Sequence, residues 1–250
     1  LPEFLHNILL FLIYLGNFKN DDILPARMGG STTLNRGPVK KLFYILMFLC
    51  PVAICAQQNG YKSSPFDHMW MNVGNAGFST GEANYTSIAF GPAGQPYVAY
   101  QEWLNSQKAT LMKFDGTNWI YVGSAGFSAG EADWISLAFS PSGQPYVAYE
   151  DFGNSDKATV MKFDGTNWVI VGDAGFSAGQ ALFTSLAFSP SGQPYVGYMD
   201  YGNSHKATVM KFDGTNWVNV GNAGFSAGQA TFTSLAFSPS GQPYIGYRDY

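Results

Sequence analysis

Between residues 135 and 172 the apolar positions fall into four short runs, ISLAFS, QPYVAYED, KATVMKFD and NWVIVG, in which large apolar side chains alternate with small or polar ones. Alternation over four to eight residues rich in Val, Tyr and Phe predicts β-strands. Turn residues separate the runs. SPSG, with Pro141 and Gly143, joins the first to the second, and DGT, opening on Asp164-Gly165, joins the third to the fourth. Both links are short enough for tight antiparallel hairpins. The remaining links, EDFGNSDK and GDAGFSAGQALF, are longer. In the second strand the small residues Ala148 and Gly197 sit among Tyr and Val, as expected where neighbouring sheets approach closely.

The same text recurs. Trp70, Trp119, Trp168 and Trp217 are spaced 49 residues apart, and the units between them are nearly identical, which points to tandem duplication. A four-stranded antiparallel unit of this length exposes apolar surface on both faces and is stable only when its neighbours cover it. The expected fold is therefore all-β: a β-propeller of four-stranded blades with a 49-residue repeat. A β-solenoid is the rival, but its coils are usually shorter. With strands lettered a to d from the centre outward, residues 70–250 read as a lone d strand at 70–73, three full blades, and strands a and b of a fourth. The ring is read as incomplete and the chain as the front part of a longer protein.

Over residues 70–250 the period, the strand count and the recurring Trp resemble the broad class of secreted bacterial β-propeller repeats. Kelch repeats are similar in length, but their glycine doublet is missing from every unit. The WD dipeptide and the sialidase Asp-box spacing are also absent; FDGTNW is only superficially similar to the latter. The resemblance implies a fold and a compartment, and it transfers no functional residue.

Residues 1–56 differ in texture. Lys40 and Lys41 precede the apolar run LFYILMFLCPVAIC, which is followed by Ala56 and a polar stretch. This order predicts a secretory signal peptide over 28–56, cleaved after Ala56. A lipid anchor at Cys55 is the weaker alternative, because Ile54 is bulky where a small residue is normally needed. Residues 1–27 open on Leu1, carry the patch ILLFLIYL and fit no part of a signal; they are read as sequence upstream of the true start. Residues 57–69 are a linker. Both cysteines, Cys50 and Cys55, fall within the signal, so the exported body is thiol-free and suits a secreted or cell-surface location.

Composition removes several classes. Charged residues make up 12% of the chain, about half the usual share, and there are 29 Gly, 13 Pro and 15 Tyr. This mix excludes a helical bundle. The net charge of −4 gives no basic footprint for nucleic acid. His68 and His205 are the body's only histidines and lack metal-ligand spacing, and no calcium loop or phosphate-cradling glycine motif appears, so neither metal nor cofactor is expected.

Because the units are so alike, their differences carry the information. The short turns FSPSGQP and KFDGTNW barely change, whereas variation gathers before strand a and after strand b. The first cluster is Asn84-Tyr85-Thr86, Asp133-Trp134-Ile135, Leu182-Phe183-Thr184 and Thr231-Phe232-Thr233. The second is Gln101, Glu150, Met199 and Arg248, with Gln107, Asp156 and His205. Both are expected on the face that carries the longer loops, which a rigid scaffold would present to a partner; tolerance of longer loops to substitution gives the same pattern. Tyr85, Trp134, Phe183 and Phe232 are aromatic in every unit and fit either stacking platforms or cover for the core. Glu102, Asp151, Asp200 and Asp249 end strand b and fit either a cation- or hydroxyl-binding ring or caps for loop amides. The favoured function is a secreted or cell-surface recognition module that binds an extracellular glycan or protein. The alternatives are a structural or adhesive repeat, and a polysaccharide-processing enzyme drawing on Glu131, Asp133, Glu150 and Asp151. No membrane contact is expected once the signal is removed.

Overall fold

The computed structural model describes residues 70–250. The leader, the signal peptide, the linker, the Cys55 anchor and His68 lie outside the described residues.

Every unit forms the expected meander. The first blade comprises β1 (Ala83–Phe90), β2 (Pro96–Glu102), β3 (Lys108–Phe114) and β4 (Trp119–Tyr121). The second comprises β5 (Ala132–Phe139), β6 (Pro145–Asp151), β7 (Lys157–Phe163) and β8 (Trp168–Ile170), and the third β9 (Ala181–Phe188), β10 (Pro194–Asp200), β11 (Lys206–Phe212) and β12 (Trp217–Asn219). A two-stranded sheet, β13 (Ala230–Phe237) and β14 (Pro243–Asp249), follows. Within each sheet neighbours in sequence pair antiparallel, in the order a-b-c-d. This all-β repetition of four-stranded antiparallel blades is a β-propeller architecture, of which the described residues hold three full blades and the first two strands of another.

Successive blades are joined at two radii. On the inner side, strand a of one blade meets strand a of the next. The Leu137, Leu186 and Leu235 amides donate to Ser87, Ser136 and Ser185 Oγ, 50 residues earlier, at 3.0, 3.0 and 2.9 Å. On the outer side, each d-strand Trp donates its indole N–H to the carbonyl ending the previous repeat's d segment. Trp119, Trp168 and Trp217 reach Val73, Val122 and Val171 at 2.7, 2.9 and 2.7 Å. The same indoles stack on Phe78, Phe127 and Phe176 with centroids 4.3, 3.8 and 4.3 Å apart. Gly123 and Gly172 make this close approach possible. At each, a Cβ would lie 3.0 Å from the next Trp ring, and the backbone is left-handed at φ +73.

Between the sheets the core is aliphatic and aromatic: Leu111, Val122, Leu137, Val147 and Tyr149 in one layer, and Val160, Val171, Leu186, Val196 and Tyr198 in the next. The close approach expected at Gly197 is present, since a Cβ there would stand 2.6 Å from Ile245 Cδ1. Among the described residues nothing covers the outer faces of the end sheets. Phe90 is 65% exposed and Tyr244 63%, whereas Tyr97, the counterpart of Tyr244 in the first blade, is 8% exposed.

Three local expectations need correction. Residues 70–73 form no strand, because among the described residues no c strand lies beside them. Strand a begins three residues earlier than the alternation predicted, at Ala132 rather than Ile135 in the second blade, because a bulge interrupts the period. The b–c links are not plain loops. Each opens with a one-turn 3-10 helix, at Trp103–Asn105, Phe152–Asn154 and Tyr201–Asn203.

Candidate functional site

The bulge that displaced strand a is where the aromatic positions lie. Asn84 pairs with Gln101 and Ser87 with Ala99, so Tyr85 and Thr86 together oppose the single residue Tyr100. The same two-against-one arrangement recurs at Trp134-Ile135, Phe183-Thr184 and Phe232-Thr233. The extra residue takes a left-handed backbone, with φ of 48, 49, 54 and 53 at Tyr85, Trp134, Phe183 and Phe232. A bulky aromatic there is strained by about 1 kcal/mol or more, and bulges of this kind re-aim a side chain.

Re-aimed, the four rings form one continuous run. Tyr85 and Trp134 have centroids 5.0 Å apart, Trp134 and Phe183 4.2 Å, and Phe183 and Phe232 4.8 Å, with planes tilted by 49 to 54°. They line an open groove of about 340 Å³ together with Thr86, Ile135, Thr184 and Thr233. Thr184 and Thr233 each donate a hydroxyl to the carbonyl of the previous blade's strained aromatic, Trp134 and Phe183 respectively. Ile135 has no hydroxyl to offer Tyr85. Burial, followed by the Asp133 charge and hydrogen bond, pushes the Tyr85 phenol up to about 12.

The residues ending strand b are arranged differently. Glu102, Asp151 and Asp200 are each 1% exposed. Asp151 accepts from the Gly153 amide at 3.0 Å and Asn154 Nδ2 at 2.8 Å, and Asp200 from Gly202 and Asn203 at 2.9 and 2.7 Å. Glu102 takes the Thr110 hydroxyl at 2.9 Å and that of Thr80. Asp151 and Asp200 cap their 3-10 turns, the second of the two roles their position allowed, whereas Glu102 makes no bond to its turn. Asp249, which is exposed, accepts the Gly228 amide at 2.9 Å.

Three members of the second variable cluster are also placed inside, while Gln107, Asp156 and His205 are half-buried and Arg248 is exposed. Gln101, Glu150 and Met199 lie within strand b, not after it, and are 1 to 2% exposed; the expectation that they face a partner is corrected by the inward register of that strand. Gln101 donates to Asp133 and Gln180 to Glu150, the latter at 2.6 Å. With its amide nitrogen turned inward, Gln107 donates to Glu131 at 2.7 Å. Burial raises Glu150 to about 7, helped by the Asp133, Asp156 and Glu131 charges and opposed by the Gln180 hydrogen bond. Burial also raises Asp133, against hydrogen bonds from Tyr85 and Gln101, and raises Glu131 with help from Asp133 and Asp156. Glu131, Asp133 and Glu150 thus gather around the second blade, while Asp151 is turned away into its cap. Among the described residues no group of three or more His, Cys, Asp or Glu is placed to hold a metal ion.

No protein-family model matches the chain, and no curated protein matches it. Solved structures similar to it include a fucose lectin from Kordia zhangzhouensis in complex with methyl-fucoside, 15% identical, covering 55% of this chain and 99% of the lectin at a TM-score of 0.40. An α-L-arabinanase from Penicillium chrysogenum complexed with arabinobiose is 14% identical over 70% of this chain and 59% of its own, at 0.48. An endo-1,4-β-xylanase from Bacteroides thetaiotaomicron is 12% identical over 69% and 67%, at 0.46.

Sequence reasoning found the four aromatics but placed them in a loop. It missed the left-handed bulge, whose only trace is that a large aromatic interrupts the alternation at the same point in every unit. It also missed the pairing of Gln101, Gln107 and Gln180 with carboxylates one blade away. A complementary change of Gln and Glu between units was the available signal.

Proposed function

We propose that this chain is a secreted or cell-surface recognition module that takes up an extracellular glycan along the run Tyr85, Trp134, Phe183 and Phe232. The observation that supports this reading is the strained backbone repeated at all four aromatics. Strain of this kind collects at binding sites, where other parts of the structure compensate for it. A continuous run of tilted aromatic rings suits the apolar C–H faces of sugar rings, and the Thr184 and Thr233 hydroxyls beside it are already bonded. The polysaccharide-processing alternative would draw on Glu131, Asp133 and Glu150, but these carboxylates already accept from glutamine amides.

On a glycan array, Trp134→Ala is expected to weaken binding by about tenfold or more, a loss of one stacked aromatic contact, while Thr166→Ala in a c–d hairpin leaves it unchanged. Equal binding by the natural chain and Trp134→Ala would remove the groove from consideration. A second experiment separates ligand platform from core cover. Phe232 is 61% exposed, so its removal forfeits little packing. Glycine tolerates the left-handed backbone better than alanine does, by about 1 kcal/mol. Phe232→Gly is therefore expected to be at least as stable as the natural chain and more stable than Phe232→Ala, with both variants binding less. A Phe232→Gly variant that melts well below the natural chain would assign the ring to packing.

A further inference from the structure

Near-identical blades pose an assembly problem. The Ser-to-amide bonds between a strands and the indole-to-carbonyl bonds between d strands are the same at each junction, so they bring blades together without distinguishing one from another. Repeat proteins of this kind are prone to docking a blade against the wrong neighbour, in their own chain or in another copy.

We propose that the polar side chains that differ between blades at the junctions are a pairing code that fixes blade order, with the couples Gln101–Asp133, Gln107–Glu131 and Glu150–Gln180 as its elements; Gln101 and Glu150 are buried and their partners half-buried. Each couple crosses a junction, so that one blade supplies an amide and the next a carboxylate, or the reverse. The main chain places these positions at the junction. The Ala132, Ala181 and Ala230 amides donate to the carbonyls of Gln107, Asp156 and His205 of the preceding blade at 3.0, 3.0 and 2.9 Å.

The chemistry alternates along the chain. The first blade offers amides to the carboxylates Glu131 and Asp133 of the second. The second then offers Glu150 and Asp156, and the third answers with Gln180 and Leu182. The third offers Met199, which meets Gln229, its Nε2 3.8 Å from the sulfur.

Wrong pairings are costly. A second blade docked on another copy of itself would add that copy's Glu131 and Asp133 to the Asp133, Asp156 and Glu131 charges that already press on the buried Glu150, and would take away the Gln180 donor that opposes them. A first blade docked on the third would leave Gln101 and Gln107 facing Gln180 and Leu182, amides with no carboxylate acceptor. An uncompensated buried charge typically destabilises far more than a correct couple stabilises, so discrimination comes mainly from the penalty on wrong neighbours. Glu131/Gln180, Asp133/Leu182, Glu150/Met199 and Asp156/His205 are among the few places where the second and third blades differ at all. The variable positions therefore read as instructions for assembly; among them Asp133 also touches the aromatic groove, at Tyr85, whereas Glu150 and Gln180 do not line it.

The test refolds the full chain at pH 8 and follows monomer yield by size-exclusion chromatography and stability by thermal melting. Gln180→Glu sets a second carboxylate against Glu150. It is expected to lower Tm by roughly 10 °C and to shift much of the refolded material from monomer to dimers and larger species. Combining it with Glu150→Gln inverts the couple and is expected to recover more than half of both losses. An unchanged Tm and monomer yield for Gln180→Glu would overturn the proposal, and so would a combined variant no better than the single one, since position 180 would then merely be intolerant of glutamate. Glycan binding by the recovered monomer is expected to match the natural chain, because neither residue lines the groove; its loss would place the couple in the ligand site instead.

Discussion

Replacing Trp217 with alanine is expected to destabilise the protein by about 3–5 kcal/mol, the usual cost of truncating a large buried aromatic. Three contacts disappear together. The indole is 8% exposed, lies flat on Phe176 with centroids 4.3 Å apart and planes 12° apart, and donates to the Val171 carbonyl at 2.7 Å. Trp217→Phe keeps an aromatic face over Phe176 but leaves that carbonyl without its donor, and its cost is expected at about 1–3 kcal/mol. Chemical denaturation of the three proteins gives the ranking. A Trp217→Ala variant within about 1 kcal/mol of the natural chain would mean that the outer contact follows blade packing instead of supporting it.

The recurring Trp illustrates what a repeat makes legible. Its 49-residue spacing is enough to infer a unit that needs neighbours, and the four alternating runs give the strand count. Both inferences rest on periodicity, which one chain displays fully. The a–b and c–d hairpins were equally readable, since Asp115, Asp164 and Asp213 do what Asp before Gly does in a turn. Asp164, for example, accepts the Thr166 and Asn167 amides at 2.8 and 2.7 Å.

What stayed hidden depends on partners distant in sequence or on rare backbone states. Strand a looked shorter than it is because the left-handed residue at Trp134 turns a side chain against the alternation. Glu150 and Gln101 looked like loop residues because polar side chains near a strand end are usually solvated. Their burial follows from amides and carboxylates supplied from the adjacent blade, and pairing across 30 or 32 residues leaves no local pattern. The same ambiguity attended Asp151 and Asp200, whose capping role became visible only with the 3-10 turns that they cap.

Stability is expected to fall as pH rises from about 5 to 8, with Glu150 as the main cause. The carboxyl is raised from 4.5 to about 7 in the folded protein. Between those values the folded state holds a proton that the unfolded chain has released, so the stabilisation is full below pH 4.5 and lost as pH climbs through 7. The loss is on the order of 3 kcal/mol. Asp133 and Glu131, also raised, act in the same direction. Asp115, Asp164 and Asp213 are lowered by turn amides and act in the opposite direction, but only below their ordinary range, outside this window. Asp133, Asp156 and Glu131 are the charges that press on Glu150, and Gln180 is the donor that opposes them. Glu150→Gln removes the main titration while keeping an acceptor for Gln180, so the fall in melting temperature of that variant from pH 5 to 8 is expected to be much shallower, with only the Asp133 and Glu131 contributions left. An equal slope in both proteins, or a natural chain more stable at pH 8 than at pH 5, would show that Glu150 is ionised throughout. A confirmed slope would mean that the acid-rich junctions around the second blade hold most firmly when partly protonated, and would tie the fidelity of blade pairing to the acidity of the surroundings in which the chain folds.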